Sequence, residues 1–459
     1  MKNRGDGLMQ TKKPERLVNY PLYTVGDLGS GIYSVIPSIL LMYYMTNVLG
    51  IPVALATMAA FVPKIVDLIS NPIIGGLSDR ASTRLGRRRP YMLAGSLTIL
   101  PTFALIWMSP FTDPESSSYF VLVMFSICTI SFSCFLIPFF ALNAELPRDY
   151  HDRTALNSYR TAYTMIGAVL AGAGAPLVVQ FVGGGRNGYM AMGLGMGAIM
   201  AIVTFVSFIS AREPARHEDE KIPTLRQTLD AITGNKPYIY LFTAYFIHIT
   251  SVGLFGAVLA YFVTYVLKRD ADFLSLLFFL TYGASIAAIP FWVWLSKKVG
   301  KFRSFQSCIG LLIVSSVAYA FVTANTSMPI LLAIVILNGL SGGAVQVFSF
   351  SMLADCIQHG NKKPGVLTSA AMFNGVFIAG EKLGFASGAL LSGIIFAVAG
   401  LVETTKGSVM QPESAITGIR VAISLVPAAL NVVAITVVSF YSPFERELLA
   451  AEAAPRPAE

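Results

Sequence analysis

Residues 61–96 read FVPKIVDLISNPIIGGLSDRASTRLGRRRPYMLAGS, and the fold follows from this stretch. An apolar helix carries Lys64 and Asp67 on adjacent turns, is expected to break at Asn71-Pro72 and Gly75-Gly76, and gives way to a polar run from Ser78 to Arg89. A second apolar helix starts at Pro90. This is the pattern of a membrane helix with charges inside it and a basic hairpin after it. An ionisable group at bilayer depth is costly unless paired or hydrated, so such residues mark ion or substrate routes. Lys64 and Asp67 are three apart on one helix face, where they can pair with each other. The plainer alternative is a structural ion pair bracing two helices.

The rest of the chain extends the pattern. Of 459 residues, 54% are hydrophobic and 13% charged, and the mean hydropathy is +0.65. The apolar runs are too many and too long for a soluble core, and they recur at the length a bilayer demands. They fall near 22–49, 52–77, 90–110, 118–144, 155–182, 188–211, 237–267, 272–296, 303–323, 328–354, 367–400 and 416–441. The fold class is an all-α, multi-pass membrane protein with twelve transmembrane helices.

Positive charge alternates between the connections, which sets orientation. Lys2, Arg4, Lys12, Lys13 and Arg16 fall on one side, with Arg80 to Arg89, Arg148 and Arg153, Arg212 to Lys236, Lys297 to Arg303, and Lys362-Lys363. The other side carries Arg186, Lys268, Arg269 and Lys406. Both termini are therefore expected in the cytoplasm. The net charge of +8 is then mostly a topology signal and implies no nucleic-acid partner. The first 20 residues are polar and the first apolar run is long enough to span, so no cleavable signal peptide is expected. Cys128, Cys134, Cys308 and Cys356 lack metal-ligand spacing and read as single buried thiols.

The first span opens on Tyr23 to Gly31 and holds Asp27 near its cytoplasmic end, where the readings are a functional intramembrane acid or an ordinary wetted one. Gly26, Gly29 and Gly31 allow a neighbouring helix to approach closely. Tyr43 and Tyr44 read as an interfacial aromatic belt. Leu77-Ser-Asp-Arg80 and Gly86-Arg-Arg-Arg89 are echoed by Leu295-Ser-Lys-Lys298 and Gly300-Lys-Phe-Arg303, six spans later. Ala144-Glu145-Leu146 is likewise echoed by Ala354-Asp355-Cys356. Same-sense echoes six spans apart argue for two pseudo-symmetric six-helix bundles, 1–211 and 237–459, joined by a charged cytoplasmic linker over 212–236.

These residues carry a resemblance that covers essentially the whole chain. Four blocks are specific: Gly26-Asp27-Leu28-Gly29 with Leu41 to Thr46; Lys64 to Pro90; Pro138 to Leu146 with Asp149 to Thr154 and Arg160; and Leu353-Ala354-Asp355 with Lys382-Leu383-Gly384. In this order they resemble the major facilitator superfamily and, within it, the glycoside-pentoside-hexuronide:cation symporters, of which melibiose permease is the best-known member. The resemblance implies a bacterial inner-membrane carrier with a central cavity opened alternately to either face, working as a monomer on a small organic solute such as a glycoside or uronate.

In that family two second-span carboxylates, four residues apart, help bind the coupling Na⁺, Li⁺ or H⁺. Here the first is Asp67 and the second position is Asn71. One carboxylate and one amide hold a dehydrated cation less tightly than two carboxylates do. Lys382 matches the family's eleventh-span lysine, which lies near the second-span acids, and it can neutralise Asp67 without a cation. The cation-coupling set is therefore Asp67, Asn71, Lys382 and Lys64, with H⁺ or weak coupling the leaner reading and Na⁺ the alternative. Consecutive helix residues point about 100° apart, so Glu381 should face a different partner from Lys382.

The sugar site departs further. Melibiose permease has acids at the positions of Gly31 and Leu136, and a tryptophan at Phe140. Their loss implies a less polar solute, or an anionic one drawn by Arg160 or Lys382. Candidate lining groups are Tyr33, Phe140, Arg160, Tyr163, Thr250, Gln346 and Asn374; for the hydroxyls and amides a helix-packing hydrogen bond is the alternative. His248 reads as a packing residue rather than a proton relay. Asp79, Arg80, Glu145, Arg153 and Asp355 form a candidate cytoplasmic gate, whose alternative is solvated loop charge.

Other classes fare worse. There is no HExxH and no histidine cluster, so neither an enzyme nor a resident metal or cofactor is expected. No short half-span suggests a channel filter. A carrier of an amphipathic or lipid-like cargo, or an uncoupled facilitator, remains the alternative. A polar wall on both halves would favour a small hydrophilic solute.

Overall fold

A computed structural model of the protein describes residues 18–146, 150–213, 230, 232–361, 370–403 and 409–445. Twelve long helical rods cross it. They are α1 (Tyr20–Asn47), α2 (Val53–Arg80), α3 (Arg89–Ile106), α4 (Pro114–Glu145), α5 (Tyr150–Val169, continuing to Phe181), α6 (Gly185–Ser210), α7 (Lys236–Val266), α8 (Ala271–Val299), α9 (Lys301–Tyr319), α10 (Met328–Asn361), α11 (Ala370–Ala399) and α12 (Glu413–Ser439). Eleven are long and apolar enough to cross a membrane. The other, α3, has 18 residues, about 27 Å of helix, which is close to a bilayer's hydrocarbon thickness.

The expected break in α2 is absent: one helix of 28 residues runs through Pro63 and Pro72. Proline removes one hydrogen bond from the helix ladder, but packing against α4 and α11 holds the flanking turns in line. Elsewhere the strain is taken up by wider π-helical turns at Pro37–Leu41 in α1, Leu170–Gly174 in α5 and Phe262–Val266 in α7.

Packing repeats with a step of six helices. In the first set α1 packs on α5 and α6, α2 on α4, and α3 on α4 and α6; in the second, α7 packs on α11 and α12, α8 on α10, and α9 on α10 and α12. The sets meet where α2 touches α11, α5 touches α8, and α1 touches α7. Glycine fixes two of these crossings. A Cβ on Gly31 would stand 2.8 Å from the Ala168 backbone nitrogen, and one on Gly253 would stand 2.9 Å from Phe385 Cα. Small residues that bring backbones together are a main source of helix association where no hydrophobic force acts between helices.

Helix starts repeat as well. Beyond α6, the Glu213 carboxylate accepts from the backbone N–H groups of Arg87, Arg88 and Arg89 at 3.0, 2.8 and 2.9 Å. Beyond α12, Glu445 accepts from Phe302 N–H at 3.0 Å. A carboxylate at a helix N-terminus satisfies orphan donors and complements the macrodipole. Each acid lies against a glycine of positive φ, Gly86 (103°) and Gly300 (93°).

The ends of the helices differ. At the end carrying Val18 and Phe444, the second set closes a core of its own, built from residues between Ile232 and Phe444. At the distal end one apolar core joins both sets. There Thr46 bonds Tyr261 at 2.6 Å, Asn47 bonds Tyr265, and Val53 N–H donates to Glu403 at 2.9 Å. Tyr43 and Tyr44 belong to this seal rather than to an interfacial belt: Tyr44 is buried, donating to Trp107 O at 3.0 Å, and Tyr43 accepts from Thr264 at 3.3 Å. The halves are thus joined distally, and the hydrogen bonds named between them all lie from the level of Asp67 outward.

Candidate functional site

Midway along the bundle, α2 and α11 face one another across the junction of the two sets. Lys382 Nζ donates to Asp67 Oδ2 at 2.7 Å, and Ser133 of α4 donates to Asp67 Oδ1 at 2.9 Å. The expected closeness of Asp67 and Lys382 is present, with both carboxylate oxygens engaged. Lys64 does not pair with Asp67. Its ammonium sits 5.5 Å from the Tyr33 ring centroid and 5.1 Å from that of Phe125, within range of cation–π attraction. The side chain of Lys64, a turn away from Asp67, points to α1 and α4, leaving the acid to α11. Asn71 lies one turn further along α2, and its buried Oδ1 has no hydrogen-bond partner.

Tyr33 is fixed in place. Its hydroxyl shares a 2.7 Å bond with Thr129, and its ring stacks on Phe132 at 4.2 Å. A second ion pair lies within the first set: Arg160 Nε donates to Asp27 Oδ2 at 3.0 Å, and the guanidinium lies 4.5 Å over the Phe140 ring. Asp27 is buried, not open to water, because α5 brings a cation to it. Arg160 is correspondingly committed. A buried acid-base pair of this kind has little charge left over for an anionic solute, and the same holds for Lys382.

The other lining candidates separate. Gln346 is exposed and donates to Glu381 Oε1 at 3.3 Å. Thr250 is buried and bonds back to Phe246 O at 2.9 Å, a packing contact within α7. Tyr163 and Asn374 are half-buried on α5 and α11. His248 is buried and shares a 2.8 Å bond with Asn431, which also donates to Ser251 at 2.9 Å. That makes it a brace between α7 and α12. Sequence reasoning missed Ser133, Thr129 and Asn431. Each is a polar residue in an apolar run, and nothing local told them from ordinary helix-packing groups.

Two of the gate candidates make ion pairs within their own sets: Asp79 with Arg88 at 3.0 Å in the first, and Asp355 with Lys301 at 2.8 Å in the second. The side chains of Glu145 and Arg153 and most of the 212–236 linker lie outside the described residues. Arg80 makes no ion pair among the described residues.

The comparisons agree with this architecture. The family model described as MFS/sugar transport protein matches residues 22–443. The symporter YjmB of Bacillus subtilis is 26% identical over 442 residues, covering 94% of this chain and 93% of that protein. The isoprimeverose transporter of Lactiplantibacillus pentosus is 26% identical over 394 residues, covering 83% and 80%. A sodium-dependent lysophosphatidylcholine symporter of Xenopus tropicalis is 23% identical over 356 residues, covering 69% and 67%. Among solved structures, a mutant of the nucleoside transporter NupG superposes with a TM-score of 0.68 at 15% identity, covering 92% of this chain and all of that one, which shows the fold alone. This chain, a multi-pass membrane protein with a charged cluster between two packed helix sets, belongs to the MFS/sugar transport protein family.

Proposed function

We propose that the protein is a symporter that carries a small hydroxylated organic solute across the membrane by alternating access, with the Asp67–Lys382 pair as its coupling element and H⁺ as the driving ion. The observation that carries this reading is the Asp67 carboxylate, held by one ammonium and one hydroxyl where the two helix sets meet. A Na⁺ placed there would meet Lys382 and too few anionic ligands to offset its dehydration. A proton neutralises Asp67 directly and releases Lys382, so protonation and the contact between the halves are linked. Asn71 Oδ1 supplies one neutral oxygen nearby, short of a cation cage.

Polar groups stand on both sides of the junction, Tyr33, Lys64 and Arg160 on one and Gln346, Glu381 and Lys382 on the other, which favours a hydrophilic solute. The basic loops favour both termini in the cytoplasm, an orientation in which the distal seal faces outward. We take it to act as a monomer, with Asp79, Arg80, Glu145, Arg153 and Asp355 at the inner rim.

The similarity to a lysophosphatidylcholine symporter supports a second reading, an amphipathic cargo. Counterflow into proteoliposomes, comparing isoprimeverose, methyl glucoside, glucuronate and lysophosphatidylcholine, separates the two. Exchange of the neutral glycosides is expected; exchange of the lipid alone would overturn the hydrophilic reading.

A further inference from the structure

The C-terminal set contains one intramembrane carboxylate whose role the pairing scheme leaves open. Asp27 is neutralised by Arg160 and Asp67 by Lys382. Glu381, adjacent to Lys382 on α11, makes no ion pair among the described residues. Its Oε1 accepts from the exposed Gln346 of α10 at 3.3 Å, a long and weak bond. Beside it stands Tyr245 of α7, buried to within 1% of its surface, with a hydroxyl that faces Glu381 and Gln346 but closes no hydrogen bond of good geometry. Tyr245 cannot easily turn away, because its ring is stacked on Phe377 at 4.7 Å and 9°. A carboxylate offers about four acceptor positions, and a buried hydroxyl normally finds a partner. Here a carboxylate and a phenol from different helices face one another in loose geometry, next to an exposed amide.

The N-terminal set has no equivalent. Gly31, the position at which the resemblance places an acid of melibiose permease, is pressed on the α5 backbone and has no room for a side chain. Leu136, the other such position, is buried and apolar. Arg160 and Lys382 already hold carboxylates. Among the described residues, Glu381 on the C-terminal wall is then the carboxylate at this junction that no cation holds.

Resting on the symporter reading above, we propose that Glu381, with Gln346 and Tyr245, is the subsite that recognises the hydroxyl groups of the solute, and that solute selection resides on the C-terminal half of this protein. A neutral polyol or glycoside donates its hydroxyls to Glu381 and accepts from Tyr245 or the Gln346 amide.

The test is the concentration dependence of isoprimeverose and methyl glucoside counterflow, with deoxy analogues alongside, in wild type, Glu381→Gln, Glu381→Asp and Gln346→Ala. Loss of a charge-assisted hydrogen bond should raise KM about tenfold or more in Glu381→Gln while Vmax changes little. Glu381→Asp should recover part of the loss. The analogue lacking the recognised hydroxyl should lose the same factor in wild type and nothing further in Glu381→Gln. If Glu381→Gln does not fold, Gln346→Ala, on a different helix, carries the test with a smaller rise in KM. An unchanged KM in both variants, or a variant defect confined to uphill accumulation, overturns the inference. Wild type that exchanges no hydroxylated solute overturns the symporter reading instead, so the two failures are distinguishable.

Discussion

The two six-helix sets share a backbone plan and differ in how they spend their charges. Gly31 seats α1 on α5, and Gly253 seats α7 on α11; Glu213 caps the start of α3, and Glu445 the start of α9. On that common frame the first set locks Asp27 to Arg160 across the α1–α5 crossing. The second braces α7 to α12 through neutral groups, His248, Asn431 and Ser251. What remains is asymmetric. Lys64 lies over aromatic rings on one side, Glu381 borders an unsatisfied tyrosine on the other, and the Asp67–Lys382 bond crosses between the sets. Packing glycines and helix caps recur in both halves, while the groups proposed for coupling and recognition break the repeat.

The comparison breaks most readily at the glycines. Gly31→Glu drives a side chain into the α5 backbone and should abolish the monodisperse protein on size exclusion. Gly253→Leu should do the same at the equivalent crossing. A folded, transporting Gly31→Glu protein would show that the two crossings are not equivalent.

Next in size is the bridge between the sets. Removing Lys382 leaves the buried Asp67 carboxylate without its cation, at a cost reduced by the partial exposure of the lysine. Lys382→Ala should therefore lower the thermal unfolding temperature in detergent more than Asp67→Asn combined with Lys382→Gln, which leaves no charge behind. Equal losses would mean that Asp67 is not held by Lys382.

The caps sharpen the comparison at smaller scale. Glu213 accepts three backbone hydrogen bonds and Glu445 one. Glu213→Gln should cost about 1–2 kcal/mol and Glu445→Gln less, read as shifts in unfolding temperature. The reverse order would mean that the second half depends more on its cap than the first.

Much of this plan was legible in the sequence. The apolar runs near Leu22 and Ile416 and the basic loops between them gave the helices, and the echo of Gly86-Arg87-Arg88-Arg89 in Gly300-Lys301-Phe302-Arg303 gave the repeat. The closeness of Asp67 to Lys382 came only with the family resemblance, since 315 residues separate them. Sequence could not show that Asp27 is buried against Arg160, because depth in the bilayer depends on helix boundaries and on which neighbour arrives. Nor could it show that α2 passes Asn71-Pro72 unbroken: local signals favour a break there, and tertiary packing overrides them. Gly31 looked like a lost ligand until its contact with α5 showed it to be a packing position.

The central claim is that protonation at Asp67, opposed by Lys382, couples the two halves. It is tested most directly by solute accumulation in proteoliposomes under a pH gradient at constant Na⁺, and under a Na⁺ gradient at constant pH. For wild type, uphill uptake is expected with the pH gradient alone. Asp67→Asn should exchange solute but not concentrate it, and Asn71→Asp, with a second carboxylate one turn away, should gain a Na⁺ response. Steep Na⁺-stimulated uptake by the wild-type protein at constant pH would contradict the account.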